Sequence, residues 1–310
     1  MNLRKFVSII AIIAIIGFVF FSCEEDDPGK TTYGETLKLS GQVHNYPEIS
    51  EADQSALTLV MLTGVMTGTW SGAEEPLNKM AFPKTEKFTG SLDIEEQGGT
   101  SGKITSGSFS FEMGKPDSVY LTDINDYLDT LAYLYKNPSA DNMNVQVYGI
   151  SEFKVVGSDK YNSLSRANSS GKIKLDKNGN LSLKADTKNI TYVYVTENVK
   201  ITAKGDTNKI DGMDYVTKDI SLSLKKGWNV VKQSENIETK GGKMPSITDM
   251  MGGGFDPSKI MGTVTMTISQ SLGDADTSWI LSSGDDVGLD NIGGIFGGSG
   301  EEGSYPGLGF

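Results

Sequence analysis

Few residues in this chain could do covalent or metal chemistry. Its 310 residues include one cysteine, Cys23, and one histidine, His44. A Ser-His-Asp triad or a histidine-ligated metal would have to be built on His44. That residue sits in GQVHNYPEIS, after alternating Leu37, Leu39, Gly41 and Val43. The alternation puts it on the opposite, wetter face of a strand end. Neither G-x-S-x-G nor H-E-x-x-H accompanies it, so we take it as a solvated residue and expect no catalytic residues. Glycoside hydrolysis needs only two carboxylates, and 40 acidic residues leave that chemistry open.

Oxygen-rich clusters are the other candidates for ligation. Asp176, Asn178 and Asn180 alternate as in a calcium loop, but Gly179 interrupts them and no terminal acidic ligand follows. Asn178-Gly179 is the turn of a tight hairpin instead. Asp206/Asp211/Asp214 and Asp285/Asp286/Asp290 are similar loop clusters, expected to be solvated turn residues. No cofactor is expected, with calcium at these clusters as the alternative. For ligand contacts, the candidates are apolar and aromatic: Tyr133 and Tyr135 at a helix edge, and Met250, Met251 and Phe255 in a loop. That loop, 244–261, carries four methionines and a triple glycine, which suits adaptable apolar contacts. Trp228, opening an apolar strand after Gly227, is expected as a core anchor rather than a sugar-stacking platform.

Cys23 follows Arg4-Lys5, an apolar run from Phe6 to Phe21, and Ser22. This is the layout of a secretory leader, with a basic start, a short apolar core and a small residue before the cleavage point. Sixteen apolar-run positions fall just short of the ~17–25 residues that span a bilayer. With the cysteine, the leader resembles a bacterial lipoprotein signal. The resemblance implies cleavage after residue 22 and two or three acyl chains on Cys23, an anchor that one chain alone would not secure. Phe20 and Phe21 depart from the Leu and small residue usual there. Glu24, Glu25, Asp26 and Asp27 form an acidic tether that is similar to the export signals of some surface-displayed lipoproteins; a periplasm-facing location is the alternative.

Net charge is −12 for the whole chain, and the leader removes only basic residues. An acidic chain without a basic cluster is a poor match for nucleic acid. With Cys23 lipidated, no cysteine remains for a disulfide, thiolate metal site or nucleophile.

The elements that must position any site are strands. Alternation recurs in 35–46, 88–95, 102–113, 144–156, 191–204, 215–224 and 263–269, each with one buried and one wet face. Ala56–Leu62 is apolar throughout and is expected as a strand covered on both sides. One helix is expected, Asp123–Lys136, from the spacing of Ile124, Tyr127, Leu128, Leu131 and Leu134 with Asn137-Pro138 beyond. Residues 161–171 are polar, Ser/Asn-rich and without apolar pattern, and form the best boundary. The expected fold is therefore all-β: antiparallel, sandwich-like domains with one short amphipathic helix, or a single larger barrel or sandwich. The expected division is 1–22 leader, 23–34 tether, 35–160 and 170–284 β domains, and a flexible Gly-rich tail at 285–310. The stretches SLSLKKGWNVV, YVYVTENVKITA and TSWIL resemble the closing strands of a β domain in uncharacterised bacterial lipoproteins, which implies no activity.

These features point to a lipid-anchored outer-membrane protein with a non-catalytic binding or adhesion role toward a glycan or protein. A carbohydrate-active enzyme or accessory glycan-binding module, and a periplasm-facing assembly or transport accessory, are the rivals.

Overall fold

The computed structural model describes residues 34–47, 50–96, 99–210, 213–244, 261–270 and 277–282. Nearly every alternating stretch of the sequence is a strand in it, because alternation lets one pleated face bury while the other stays wet. In chain order the strands begin with β1 (Leu37–Asn45), β2 (Glu86–Lys87), β3 (Leu92–Glu95), β4 (Ser101–Thr105) and β5 (Ser108–Met113). There follow β6 (Thr122–Asp123), β7 (Lys136–Ala140), β8 (Gln146–Ile150), β9 (Glu152–Val156), β10 (Ser163–Leu175) and β11 (Asn180–Val195). The last are β12 (Val199–Lys204), β13 (Thr207–Ile210), β14 (Met213–Thr217), β15 (Ile220–Leu224), β16 (Gly227–Lys243), β17 (Met261–Gln270) and β18 (Ser278–Ser282). Three α-helices accompany them: α1 (Glu51–Thr67), α2 (Glu74–Ala81) and α3 (Ile124–Ala132). The fold is all-β.

Part of the large sheet closes on itself. β10 pairs with β18, β18 with β1, β1 with β5, β5 with β4, β4 with β3, and β3 with β9, which returns to β10. Only the β1–β18 contact in this ring is parallel. Leu37, Leu39, Phe109, Phe111, Phe153, Leu164 and Trp279 fill the ring, whereas Lys38, Ser40, Lys103, Ser108, Ser110 and Glu112 on its outside are exposed. A filled interior and polar exterior are the reverse of a membrane-spanning barrel, whose outer face is apolar. Among the described residues, no helix is long and apolar enough to cross a membrane.

From the ring, β10 and β11 continue into an open wing of order β10-β11-β16-β17-β14-β13. One face of the wing packs α3 and a second sheet, β15-β12-β7, through Leu128, Leu131, Val193, Val195, Ile201 and Leu222. Farther along that face, α1 and α2 cover Ile173 and Leu175 with Leu57, Trp70 and Leu77. The β10–β11 turn holds as expected: Asp176 Oδ1 accepts from the amides of Asn178 (2.8 Å) and Asn180 (2.9 Å), and Gly179 takes φ +81°.

Two expectations are corrected. Ala56–Leu62 lies within α1, not a strand. Ser50 caps this helix by accepting from the Asp53 amide at 3.1 Å, and left-handed Gly68 ends it. Its apolar run is not covered on both sides, since Leu59, Leu62 and Met66 are exposed. The helix expected to reach Lys136 stops at Ala132, and Lys136–Ala140 is the edge strand β7, where Pro138 sacrifices no ladder bond. The polar stretch 161–171, read as the best boundary, carries strand structure. Most of it is the first half of β10, and ladders on both sides tie it to β9, β18 and β11.

Trp279 is 2 % exposed and packs edge-on to Phe109 and flat on Tyr192, with centroids 4.8 and 6.0 Å away. Trp279→Ala is expected to cost about 3–5 kcal/mol in a denaturant titration. Tyr133→Ala, at a residue 75 % exposed, should change stability by less than about 0.5 kcal/mol.

Candidate functional site

β10 is covered unevenly along its outer edge. From Ser163 to Ala167 it is paired with β18. At Ile173 the side chain of Asn78, on α2, takes over: its Oδ1 accepts from the Ile173 amide at 2.7 Å and its Nδ2 donates to the Ile173 carbonyl at 2.6 Å. Glu74, at the start of α2, accepts from the Leu175 amide at 3.1 Å. Among the described residues, no strand pairs with this edge between Ala167 and Ile173.

A groove of about 330 Å³ lies against that interval. Ala167, Ser169 and Gly171, with Ser278 and Ile280 of β18, line it with small or flat surfaces, and Tyr46, Phe82 and Pro83 supply its bulky ones. Among the described residues, Lys84 is the one charged residue lining it. Gly171 is required by the approach of Phe82, since a Cβ there would sit 2.3 Å from Phe82 Cζ and 2.7 Å from the Lys184 carbonyl oxygen. The aromatic ring therefore lies on bare strand backbone. A second cleft, about 530 Å³, adjoins on the other side of Gly171 and is lined by Glu74, Glu75, Asn78 and Lys172. Lys172 and Glu74 are 3.8 Å apart and both well exposed, so their attraction is weak.

Comparison with protein-family models, curated proteins and solved structures finds no match to this chain. The site must be judged on its own geometry.

The residues singled out from sequence do not converge. Tyr133 is exposed at the end of α3, while Tyr135 is buried in the core beneath it, so the two do not share a surface. Met250, Met251, Phe255 and Cys23 lie outside the described residues. His44 is half-buried on β1, opposite Lys87 and Ile280. Trp228 is a core anchor, its Nε1 donating to the Gly114 carbonyl at 2.9 Å. Trp70 and Trp279 are buried as well, so no tryptophan offers a face to a sugar. Asp176 spends both carboxylate oxygens on its own turn, and its bond from the Asn180 side chain is the chief cause of a lowered pKa. Asp206 pairs with Lys136, which holds its carboxyl below the ordinary value. Asp211, Asp285, Asp286 and Asp290 lie outside the described residues, among which no three metal-ligating side chains gather.

The groove residues Tyr46, Phe82, Lys84, Ser169 and Gly171 were missed. The signal was present in Ala167–Gly171, whose small side chains let other groups approach the backbone, but the same smallness removes the apolar pattern that marks a strand.

The most perturbed carboxyl is elsewhere. Glu235, on the core face of β16, is 3 % exposed, and burial pushes its pKa from 4.5 to about 7 despite a 2.5 Å bond from Gln233. Tyr135 faces it and is raised in turn, by burial first and by Glu235 second. Neither cleft reaches Glu235, so it concerns stability. Because its folded value is raised, its contribution is full below the unfolded value, declines between about pH 4.5 and 7, and is lost above. Glu235→Gln should flatten this slope and leave the protein about 3 kcal/mol more stable than its parent at pH 8, by denaturant titration.

Proposed function

We propose that this chain is a lipid-anchored protein of the outer membrane that binds a partner, without catalysis, in the groove beside β10. The observation that carries the reading is a groove with Tyr46 and Phe82 as aromatic walls, in which the Phe82 ring lies directly on the Gly171 backbone. Such concave sites with few, placed polar groups are the usual form of binding pockets. Burial of Trp70, Trp228 and Trp279 disfavours a sugar as the partner.

The attachment point supports an outward-facing site. The Gly34 carbonyl accepts from the Trp228 amide at 2.7 Å, which ties the start of the described chain to the end of β11 where Val195 meets Gly227. Gly171 pairs with Ala185, ten residues back along β11, or about 33 Å at 3.3 Å per residue. An anchor at Cys23, ahead of an acidic tether that anionic lipid repels, leaves the groove clear of the membrane. Surface display follows from the same tether.

Cys23→Ala is expected to move the protein from the membrane fraction to the soluble one; a variant still pelleting with membranes contradicts the anchor. Protease added to intact cells should remove the native protein while a periplasmic marker survives. Survival of both until the outer membrane is opened would place the protein facing the periplasm.

A further inference from the structure

We infer that the outward face of α1 is a self-association seam, on which a second copy of this chain lays its own α1 in antiparallel orientation. The inference goes beyond the groove and concerns a different surface.

The seam is set by spacing. Ala52, Ser55, Leu59, Leu62 and Met66 follow one another at intervals of three, four, three and four, the repeat of a coiled-coil contact. All five are exposed, and the large ones, Leu59, Leu62 and Met66, are 67, 56 and 70 % exposed. The body of the protein grips α1 by the opposite face. Leu57 and Gly64 are buried there, and Trp70 lies so close that a Cβ on Gly64 would sit 2.4 Å from its Cε3. A helix fixed in this way presents the stripe outward.

The face is also built to lose its water. From Gln54 to Ala73 the sequence has no charged residue. Flanking the stripe, the Thr58 and Thr63 hydroxyls donate to the carbonyls of Gln54 at 2.9 Å and Leu59 at 2.8 Å. These bonds stay within the helix, so drying the face strands neither donor.

The occupant follows from charge and size. Helices that lie on lipid carry Lys or Arg along their polar side, whereas α1 has neither and begins with Glu51. A charged partner would find no counter-charge along the stripe. An uncharged helix of the same spacing fits, and this chain supplies one. With a two-fold axis between Leu59 and Leu62, Leu59 of each copy meets Leu62 of the other. Met66 then falls on Ser55, large on small. Parallel pairing would bring the two Glu51 carboxylates together and align the helix dipoles; antiparallel pairing separates the one and opposes the other. The seam is only 17 residues long, about 25 Å. Pairing is therefore weak in dilute solution and strengthened where copies are crowded on a membrane.

The test is cysteine cross-linking of the full-length protein with a short bismaleimide, in membranes of the expressing cells and after detergent extraction. The parent, with Cys23 alone, sets the background. Leu62→Cys should give a covalent dimer in membranes, because both copies of this position lie near the axis. Ser55→Cys should not, since its equivalent lies roughly 17 Å along the helix, yet it should cross-link when co-expressed with Met66→Cys. Adding Leu59→Glu, at an exposed position, should cut the Leu62→Cys dimer roughly tenfold or more, with the parent's thermal unfolding retained. Ser55→Cys joining to itself would show parallel pairing and overturn the antiparallel seam. Equal dimer from Val119→Cys, exposed on another element, would reveal random collision and refute the seam. So would Leu62→Cys remaining monomeric in membranes, or linking there only to a different protein. A Leu62→Cys thiol that resists maleimide in the monomer would show the face covered by the chain's own residues, and would also overturn the proposal.

Discussion

Everything in this molecule is hung on the hydrogen-bonding edges of β10. A strand has two edges, and each must be met by a strand, a side chain or solvent. β10 meets β9 and then β11 along one edge, and β18 followed by Asn78 and Glu74 along the other. The changes of partner create the architecture. Handing one edge from β9 to β11 closes the ring and opens the wing. Handing the other from β18 to the α2 side chains brackets the groove, beside which no described strand pairs with this edge.

The same strand changes its buried face along its length. Leu164 points into the ring, whereas Ile173 and Leu175, of opposite parity, point under α1 and α2. Between them the side chains are small or polar, so the strand crosses from one core to another without exposing a large apolar residue. Arg166 marks the crossing, its guanidinium 5.4 Å from the Trp279 ring. β11 solves the same problem by burying both faces, with Tyr192 and Tyr194 toward the ring and Val193 and Val195 toward α3.

That geometry explains what was legible in the sequence. Strands covered on one face throughout, such as β1, β5 and β15, alternate cleanly and were evident. The first half of β10 was not, because a phase reversal along the strand averages to no pattern. α1 looked like a strand because its apolar residues surround the helix instead of forming a stripe: Leu57 is buried and Leu59, Leu62 and Met66 are not. Its ends were readable nonetheless, since Ser50 with Asp53 and Gly68 are capping signals. The groove was illegible for a deeper reason. Its lining brings Tyr46, Phe82 and Lys84 against the small residues of β10, groups far apart in the chain that no local pattern joins.

Closure of the ring at β9–β10 is the claim on which the groove and wing both depend. Glu152 and Ser165 face each other there, at a pair where the outward parity of Ser165 predicts no mutual backbone bonds and a Cα separation of about 4.5 Å. The direct measurement is oxidation of the Glu152→Cys, Ser165→Cys double variant. The account predicts near-complete intramolecular disulfide under mild oxidant, with the circular dichroism of the parent retained. Two thiols that stay free and reactive in a folded protein would show the ring open at this seam and contradict it.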